Sequence, residues 1–154
     1  MAMKTMVAGF AFHDENVLLV CKETPEWQHG LWNGVGGKAD DHETPVHAMV
    51  REFREEVGVE TKQEEWRHFA TEMGRDYVVH FYWSRIDWRG RVHSIPIYND
   101  AGEHLMFHDV GTRLSGIPVV GNLHWLIPLA LDWRRPAHPV LFQTQDDIRE
   151  RASW

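Results

Sequence analysis

The fold is decided by residues 37–59, which read GKADDHETPVHAMVREFREEVGV. Thr44 is a good N-cap, and Pro45 follows at the first helical position, where its missing N–H costs nothing. Gly58 is a natural C-terminal stop. These signals predict a helix over residues 45–57. Its apolar residues recur at steps of four, three and four, so they form one stripe that would pack on a sheet; the stripe consists of Val46, Val50, Phe53 and Val57.

The same helix carries three carboxylates on another face. Glu52, Glu55 and Glu56 are close enough in sequence to project side by side over roughly 100° of arc. Clustered acids repel one another, which is tolerable on a solvated surface and useful at a cation site, where hard oxygens suit Mg²⁺ or Mn²⁺. A bare Glu-x-x-Glu-Glu pattern is more often solvated surface. The residues around it therefore decide between the two interpretations.

Those residues resemble the Nudix box: Gly, five residues, Glu, seven residues, Arg-Glu, an apolar residue, any residue, Glu-Glu, any residue, Gly, an apolar residue. A chance match somewhere in a chain of this length is on the order of 10⁻⁷ at average residue usage. Phe53 is a soft departure, since the family usually carries an aliphatic residue there. All seven invariant-type positions match, and they are Gly37, Glu43, Arg51, Glu52, Glu55, Glu56 and Gly58.

The resemblance implies both a fold and a reaction. A Nudix domain is an α+β fold in which a mixed β-sheet is sandwiched between helices, and we expect residues 1–154 to form one such domain with its box at 37–59. Members hydrolyse a nucleoside diphosphate linked to another moiety. We therefore expect a Nudix pyrophosphohydrolase that uses Mg²⁺, with Mn²⁺ as a possible substitute.

The resemblance also implies roles for the box residues. Glu52, Glu55 and Glu56 would be metal ligands, joined by a backbone carbonyl near Gly36 or Gly37. Glu43 and Arg51 would hold the loop–helix geometry by a charge-assisted pair.

A carboxylate near the metal is expected to accept the proton of the attacking water, whose pKa the metal lowers. Glu52 or Glu55 is the expected acceptor. Some relatives instead use a glutamate from a later loop, and Glu103 is the candidate here. An exposed turn glutamate is the favoured interpretation of Glu103, because it follows the polar segment 99–102.

The substrate class rests on residues 32–38, which resemble the stretch before the box in the MutT-like branch, whose members remove oxidised purine nucleoside triphosphates. Trp32 belongs to this patch, and Asn33 either reads a base edge or takes a left-handed loop conformation. Lys38 either reaches a phosphate or points to solvent. Asn122 either bonds the base or caps the second helix; the paired acids that the animal enzymes carry there are absent.

We therefore expect hydrolysis of a purine deoxynucleoside triphosphate, oxidised or not, to the monophosphate and pyrophosphate. The alternatives within the family are ADP-ribose, dinucleoside polyphosphate and RNA cap linkages. A non-catalytic Nudix-fold nucleotide-binding module is a further alternative, but such modules typically lose box carboxylates and none is lost here.

The rest of the chain predicts further strands, a second helix and a glycine-rich loop. Strands are expected at 5–12, 17–22, 66–71, 77–85, 91–97, 104–108 and 139–144, and the loop at 30–37. The second helix is expected to run from near Asn122 through Trp133. Pro128 lies inside that helix and should kink it.

Composition limits the partners and the compartment. The formal net charge of −7 argues against stable DNA binding, which requires a basic face. The single cysteine, Cys21, permits no intrachain disulfide and is expected to be a small buried residue in a reducing, cytoplasmic setting. No apolar run is long enough for a membrane span. A monomer or homodimer with a small-molecule nucleotide substrate is expected.

Overall fold

The computed structural model describes residues 2–111, 114–132 and 139–142. Within these ranges, eight strands and two α-helices follow one another along the chain. They are β1 (Lys4–His13), β2 (Asn16–Cys21), β3 (Trp32–Asn33), β4 (Val35–Lys38), α1 (Pro45–Val57), β5 (Arg67–Met73), β6 (Tyr77–Ser84), β7 (His104–Asp109), α2 (Leu123–Leu131) and β8 (Val140–Phe142).

The strands form one mixed sheet with β1 in its middle. Strand β6 runs parallel to β1, from the pair Lys4↔Tyr77 to the pair Ala11↔Ser84. Strands β2 and β4 both pair antiparallel with the opposite side of β1, and β7 pairs antiparallel with β2. The strand order is β3-β2-β1-β6-β5-β8, with β4 attached to β1 and β7 attached to β2. Strands β2 and β4 therefore lie on the same side of β1, so the residues that follow β2 lie near the glycine-rich β4.

The two helices cover opposite faces of this sheet, each over its own apolar core. Residues of β1 alternate between the cores: Val7 and Ala11 face α1, whereas Ala8, Phe10 and Phe12 face α2. This alternation is the period of two that a strand imposes on its side chains. The predicted α+β architecture, a mixed sheet between helices, is confirmed.

Helix α1 has the predicted boundaries. The Thr44 hydroxyl accepts a hydrogen bond from the His47 amide at 3.4 Å, and Gly58 takes a left-handed conformation with φ of 76°. The buried side of the helix is rotated from the predicted stripe, because Val46 and Val50 are only partly buried. Its buried residues are Ala48, Met49, Phe53 and Val57. Burying a side chain as large as Phe53 contributes about 2–3 kcal/mol.

Three predictions along the chain are wrong. The segment predicted as a strand at 91–97 contains a 3₁₀ turn at Val92–Ser94. The predicted glycine-rich loop at 30–37 contains β3 and most of β4, because flanking strands supply the backbone partners that local sequence does not reveal. Cys21 is partly exposed rather than fully buried. Its partial burial, together with the nearby carboxylates of Glu23 and Glu103, raises the pKa of its thiol.

The structure describes only parts of the last two predicted elements. Helix α2 ends at Leu131 and contains Pro128, and the predicted end at Trp133 lies outside the described residues. Strand β8 covers Val140–Phe142 of the predicted 139–144 strand, and residues 143 and 144 also lie outside the described residues. Among the described residues, no helix is long and apolar enough to cross a membrane.

Candidate active site

Helix α1 presents its three carboxylates in two environments. The side chains of Glu52 and Glu56 are each 14% exposed, whereas that of Glu55 is 52% exposed. The helix starts and ends at fixed caps, so the relative positions of the three side chains are set by helix geometry. Two of the predicted metal ligands therefore face the protein and the third faces solvent.

Gly37 lets the Glu52 carboxylate lie directly against the backbone of β4. A Cβ atom at position 37 would come within 2.6 Å of the Glu52 carboxylate. Such a contact is far inside van der Waals distance, so only glycine fits there without displacing Glu52. This close approach brings the glycine-rich strand and the acidic helix face together, as the box resemblance predicts.

Arg51 connects the acidic face to the loop before the helix. Its guanidinium donates two hydrogen bonds to Glu43, from Nε at 3.0 Å and from Nη2 at 2.9 Å. Nη1 donates to Glu52 at 2.9 Å and to Glu55 at 3.1 Å, and Nη2 also donates to the Lys38 carbonyl at 3.0 Å. The hydrogen bond from Arg51 lowers the pKa of Glu43, and the bond to Glu43 raises that of Arg51. This network holds the loop, the helix and the end of β4 in one arrangement.

Glu103 is not the exposed turn residue that the sequence predicts. It is 4% exposed and lies in the carboxylate cluster just before β7. Oε1 accepts from the Glu23 amide at 3.2 Å, and Oε2 accepts from the Asn99 side chain at 3.2 Å. Asn99 Oδ1 in turn accepts from the backbone amides of Glu103 and Ala101. The turn at 99–102 therefore folds back and directs the Glu103 side chain inward.

Lys22 joins Glu103 to the acidic helix. It follows β2, and its Nζ lies 3.1 Å from Oε1 of Glu103 and 3.5 Å from Oε1 of Glu56. The Lys22 side chain is 13% exposed, so this contact is largely shielded from water. The cluster thus combines the carboxylates on α1 with that of Glu103, just before β7, and with the ammonium of Lys22, just after β2.

Burial dominates the electrostatics of the two inward carboxylates. It raises the pKa of Glu56 to about 7, with Glu103 and Glu52 adding to the shift and Lys22 opposing it. Burial also raises the pKa of Glu52, which the hydrogen bond from Arg51 opposes. Oε2 of Glu56 is buried and has no hydrogen-bond partner. An anionic Glu56 is therefore short of positive charge in this arrangement.

The cluster has the chemistry of a divalent-cation site but not yet its arrangement. Among the residues that the structure describes, no three His, Cys, Asp or Glu side chains are grouped closely enough to hold a metal ion as they stand. The cations of Arg51 and Lys22 contact these oxygens instead. The donor set nevertheless fits Mg²⁺, because it consists of hard oxygens and includes the unpartnered Oε2 of Glu56.

The predicted substrate-binding patch is partly engaged in local contacts. The Asn33 amide donates to the Gln28 side chain at 3.0 Å and accepts from the Gly34 amide at 2.7 Å. The half-buried ring of Trp32 lies 5.3 Å from that of His104 and 4.4 Å from that of His108. Lys38 is exposed at the end of β4. The Asn33 amide thus uses one of its two N–H donors and one of the two lone pairs of its oxygen in local contacts.

Asn122 lies at the start of α2 but does not cap the helix with its side chain. Its amide donates to Oε2 of Glu72 at 3.3 Å, and its Oδ1 is buried without a hydrogen-bond partner. Glu72 is 5% exposed and also accepts from the Tyr77 hydroxyl at 3.3 Å. Asn122 therefore occupies the N-cap position, as one of its two interpretations predicts, but without a side-chain capping bond, and an unused acceptor remains there.

Sequence reasoning missed Lys22, Asn99 and Glu72. Lys22 is a charged residue at the end of an otherwise apolar strand, and Asn99 is followed by Asp-Ala-Gly, a pattern typical of a side-chain-stabilised turn. Both signals were available. Glu72 carries no such signal, because its burial depends on where α2 packs on β5.

Comparisons with known proteins agree with the box. Residues 3–110 match a family model described as the NUDIX domain. A CTP pyrophosphohydrolase of Escherichia coli (strain K12) is 33% identical over 97 residues, which cover 61% of this chain and 70% of that protein. An 8-oxo-dGTP diphosphatase of Proteus vulgaris is 38% identical over 48 residues, which cover 31% of this chain and 43% of that protein.

Solved structures agree on the architecture. A mutator MutT protein from Bacillus halodurans superimposes with a TM-score of 0.70 at 15% identity, covering 94% of this chain and 92% of that one. Likeness at that identity bears on the fold alone. The predicted Nudix fold is confirmed.

Proposed function

Since the chain belongs to the Nudix family and is a Nudix hydrolase, we propose that it hydrolyses a nucleoside triphosphate to a monophosphate and pyrophosphate with Mg²⁺, or with Mn²⁺ in its place. Water attacks one of the two phosphorus atoms of the α–β anhydride. The bond from that phosphorus to the bridging oxygen breaks, and the proton of the water passes to a carboxylate. The observation that carries the proposal is the approach of Glu52 to Gly37 beside the partly buried Glu56 and the buried Glu103.

The residues proposed to hold the metal are Glu52, Glu55, Glu56 and the backbone carbonyl of Gly37. All are hard oxygen donors, and the unpartnered Oε2 of Glu56 supports the assignment. When bound, the cation neutralises charge on the diphosphate and lowers the pKa of a water. Glu55 is the most exposed of the three, so we expect it to contribute least to affinity in the absence of nucleotide.

Glu52 is the proposed proton acceptor, ahead of Glu55 and Glu103. Burial raises the pKa of its carboxyl, and a more basic carboxylate is the better proton acceptor. Arg51 donates to one of its two oxygens, whereas Glu103 already accepts hydrogen bonds at both of its oxygens. Arg51 and Glu43 are proposed as positioning residues, because their paired bonds fix the loop against the helix that carries Glu52.

The proposed substrate is a purine deoxynucleoside triphosphate, oxidised or not. Asn122 supports this as a base-edge contact, because its buried Oδ1 is free to accept from a base N–H. Asn33 and Trp32 are proposed to contribute a hydrogen bond and a ring face. Lys38, exposed at the end of β4, is proposed to meet a phosphate.

CTP is the second candidate substrate. It is favoured by the similarity to the CTP pyrophosphohydrolase of Escherichia coli, which is 33% identical over 97 residues. ADP-ribose, dinucleoside polyphosphate and RNA cap linkages are the remaining alternatives for the same chemistry. A non-catalytic binding module is disfavoured, because every box carboxylate is retained.

We further propose that residues 1–154 act as one domain, as a monomer or homodimer in the cytoplasm, without stable DNA binding. The acidic balance of the chain, −7, supports the last point.

The test is a substrate panel with product identification. Purified protein with Mg²⁺ is incubated with dGTP, 8-oxo-dGTP, dATP, CTP, ADP-ribose and a dinucleoside tetraphosphate, and products are separated by chromatography. We expect a monophosphate and pyrophosphate, with a purine deoxynucleotide preferred. Preference for CTP would replace the purine deoxynucleotide as the proposed substrate but leave the proposed cleavage to a monophosphate and pyrophosphate intact. Turnover of ADP-ribose or the dinucleotide alone would overturn the triphosphate proposal.

A further inference from the structure

Lys22 lies between the buried carboxylate of Glu103 and the largely shielded carboxylate of Glu56, which come from different elements. Its Nζ lies 3.1 Å from Oε1 of Glu103 and 3.5 Å from Oε1 of Glu56. The side chain of Lys22 is 13% exposed, that of Glu103 is 5% exposed and that of Glu56 is 14% exposed. An ammonium in this position supplies positive charge to a pair of acids that solvent reaches poorly.

We propose that Lys22 is a built-in counter-ion that competes with the divalent cation for Glu56 and Glu103, so that metal binding and the Lys22 contact exclude one another. The proposal rests on the proposed function, since it assumes that Glu56 holds the metal, and it adds Glu103, which contacts the same ammonium, to the carboxylates that face the cation. Lys22 then has two consequences for the enzyme: it stabilises the metal-free fold, and it lowers the affinity of the site for free metal.

Charge explains why both occupants cannot stay. Two carboxylates that water reaches poorly would destabilise the fold without a cation, so the metal-free protein needs the ammonium. A divalent cation on the same oxygens would lie within a few ångströms of that ammonium, where like charges repel strongly in a poorly solvated site. The site therefore gains by exchanging one cation for the other rather than by holding both.

The contacts around Lys22 permit such an exchange. Lysine is a compact charge on a flexible four-carbon stem, so its ammonium can move by rotamer change without backbone movement. Glu103 stays in place when the ammonium leaves, because the Glu23 amide and the Asn99 side chain still donate to it. Glu56 keeps its position on α1 and already has one oxygen without a partner. The carboxylates are thus held for the metal while the competing charge is free to leave.

A purely structural Lys22 would behave differently. If its role were only to hold the end of β2 against Glu56 on α1 and against Glu103 before β7, its removal would loosen both carboxylates. Metal binding would then weaken in the variant, because the ligands would be less well held. The direction of the change in metal affinity separates the two roles.

The test measures Mn²⁺ binding by calorimetry in the absence of nucleotide. Lys22→Met keeps the length of the side chain and removes its charge, whereas Lys22→Arg keeps a charge. Lys4→Met, at an exposed residue of β1, is the control for the change in net charge. We expect the Kd for Mn²⁺ to fall by about tenfold or more in Lys22→Met, since one competing unit charge is removed. We expect Lys22→Arg and Lys4→Met to stay within about threefold of the wild type.

Equal or weaker Mn²⁺ binding by a folded Lys22→Met would overturn the proposal while leaving the metal assignment intact. Absence of Mn²⁺ binding by the wild type would overturn both. If Lys22→Met does not fold, the wild-type protein still decides the matter. A crystal structure with Mn²⁺ is expected to have Lys22 Nζ more than 4 Å from Glu56 and Glu103, and persistence of both contacts beside a bound ion would contradict the proposal.

Discussion

Arg51 donates two hydrogen bonds to Glu43, from Nε to Oε1 at 3.0 Å and from Nη2 to Oε2 at 2.9 Å. The same guanidinium donates to Glu52 at 2.9 Å. The loop before α1 and a proposed metal ligand on α1 are therefore oriented by one planar group. Bidentate pairing of this kind fixes geometry as well as charge, which lysine could not reproduce.

Glu43→Gln should make stability less dependent on acid pH. The hydrogen bond from Arg51 lowers the pKa of Glu43 below 4.5, its ordinary value in the unfolded chain. A depressed carboxyl pKa contributes stability that is present above about 4.5 and is lost as pH falls through the folded-state value. We expect Glu43→Gln to cost about 1–2 kcal/mol of unfolding free energy at pH 7, and less at pH 3.5. Urea unfolding at the two pH values measures this.

The control for that experiment is Glu64→Gln, at an exposed residue after α1. It should change the unfolding free energy by less than about 0.5 kcal/mol at either pH. A loss from Glu43→Gln that is as large at pH 3.5 as at pH 7 would argue that the ion pair is not its source.

Glu56→Gln should strongly reduce turnover without loss of stability. The variant keeps the shape of the side chain but removes a buried charge whose pKa burial raises to about 7. We expect kcat to fall by roughly a hundredfold or more, and the Tm in chelator to stay equal to that of the wild type or rise. Mg²⁺ should raise the Tm of the wild type and not that of the variant.

Glu60→Gln is the matched comparison, because Glu60 is exposed and lies 3.9 Å from Arg54 in a solvated ion pair. We expect its kcat and its response to Mg²⁺ to equal those of the wild type. A folded Glu56→Gln with undiminished turnover would remove Glu56 from the metal site.

Glu52 and Glu103 should differ in how they shape the pH profile of kcat. If Glu52 accepts the proton, Glu52→Gln loses the acid limb of the profile along with most of its activity. Glu103→Gln should lower activity but keep that limb, because both oxygens of Glu103 already accept hydrogen bonds. Steady-state rates from pH 5.5 to 9 at saturating Mg²⁺ measure both. The reverse pattern would make Glu103 the proton acceptor.

Asn122→Ala should reduce discrimination between bases. Oδ1 of Asn122 is a buried acceptor without a partner, and we propose that it accepts a hydrogen bond from a base N–H. We expect the ratio of kcat/KM between the preferred and the poorest nucleotide to fall by roughly tenfold, which corresponds to one hydrogen bond. The loss of the bond to Glu72 should also lower the Tm. A lower Tm with an unchanged ratio would assign Asn122 a purely structural role.

The parts of this protein that the sequence predicts well are those encoded locally. Thr44, Pro45 and Gly58 delimit α1 within the chain itself, and the structure has the helix at 45–57. The Glu43–Arg51 pair follows from the same local stretch. Caps and helical spacing act over a few residues, so no tertiary information is needed to read them.

The failures concern features that depend on distant partners. Residues 32–38 form strands only because β1 and β2 lie alongside them, which the glycine-rich sequence does not disclose. Glu103 is buried because Lys22, 81 residues earlier, and the Glu23 amide meet it. Its predicted exposure followed from a turn considered alone, without the elements that the turn packs against.

The most direct test of the central claim is product analysis with a purine deoxynucleoside triphosphate and Mg²⁺, for the wild type beside Glu56→Gln. We expect stoichiometric monophosphate and pyrophosphate from the wild type, with formation abolished by chelator and lowered by roughly a hundredfold or more in the variant. Release of orthophosphate instead of pyrophosphate, or equal turnover by the two proteins, would contradict it.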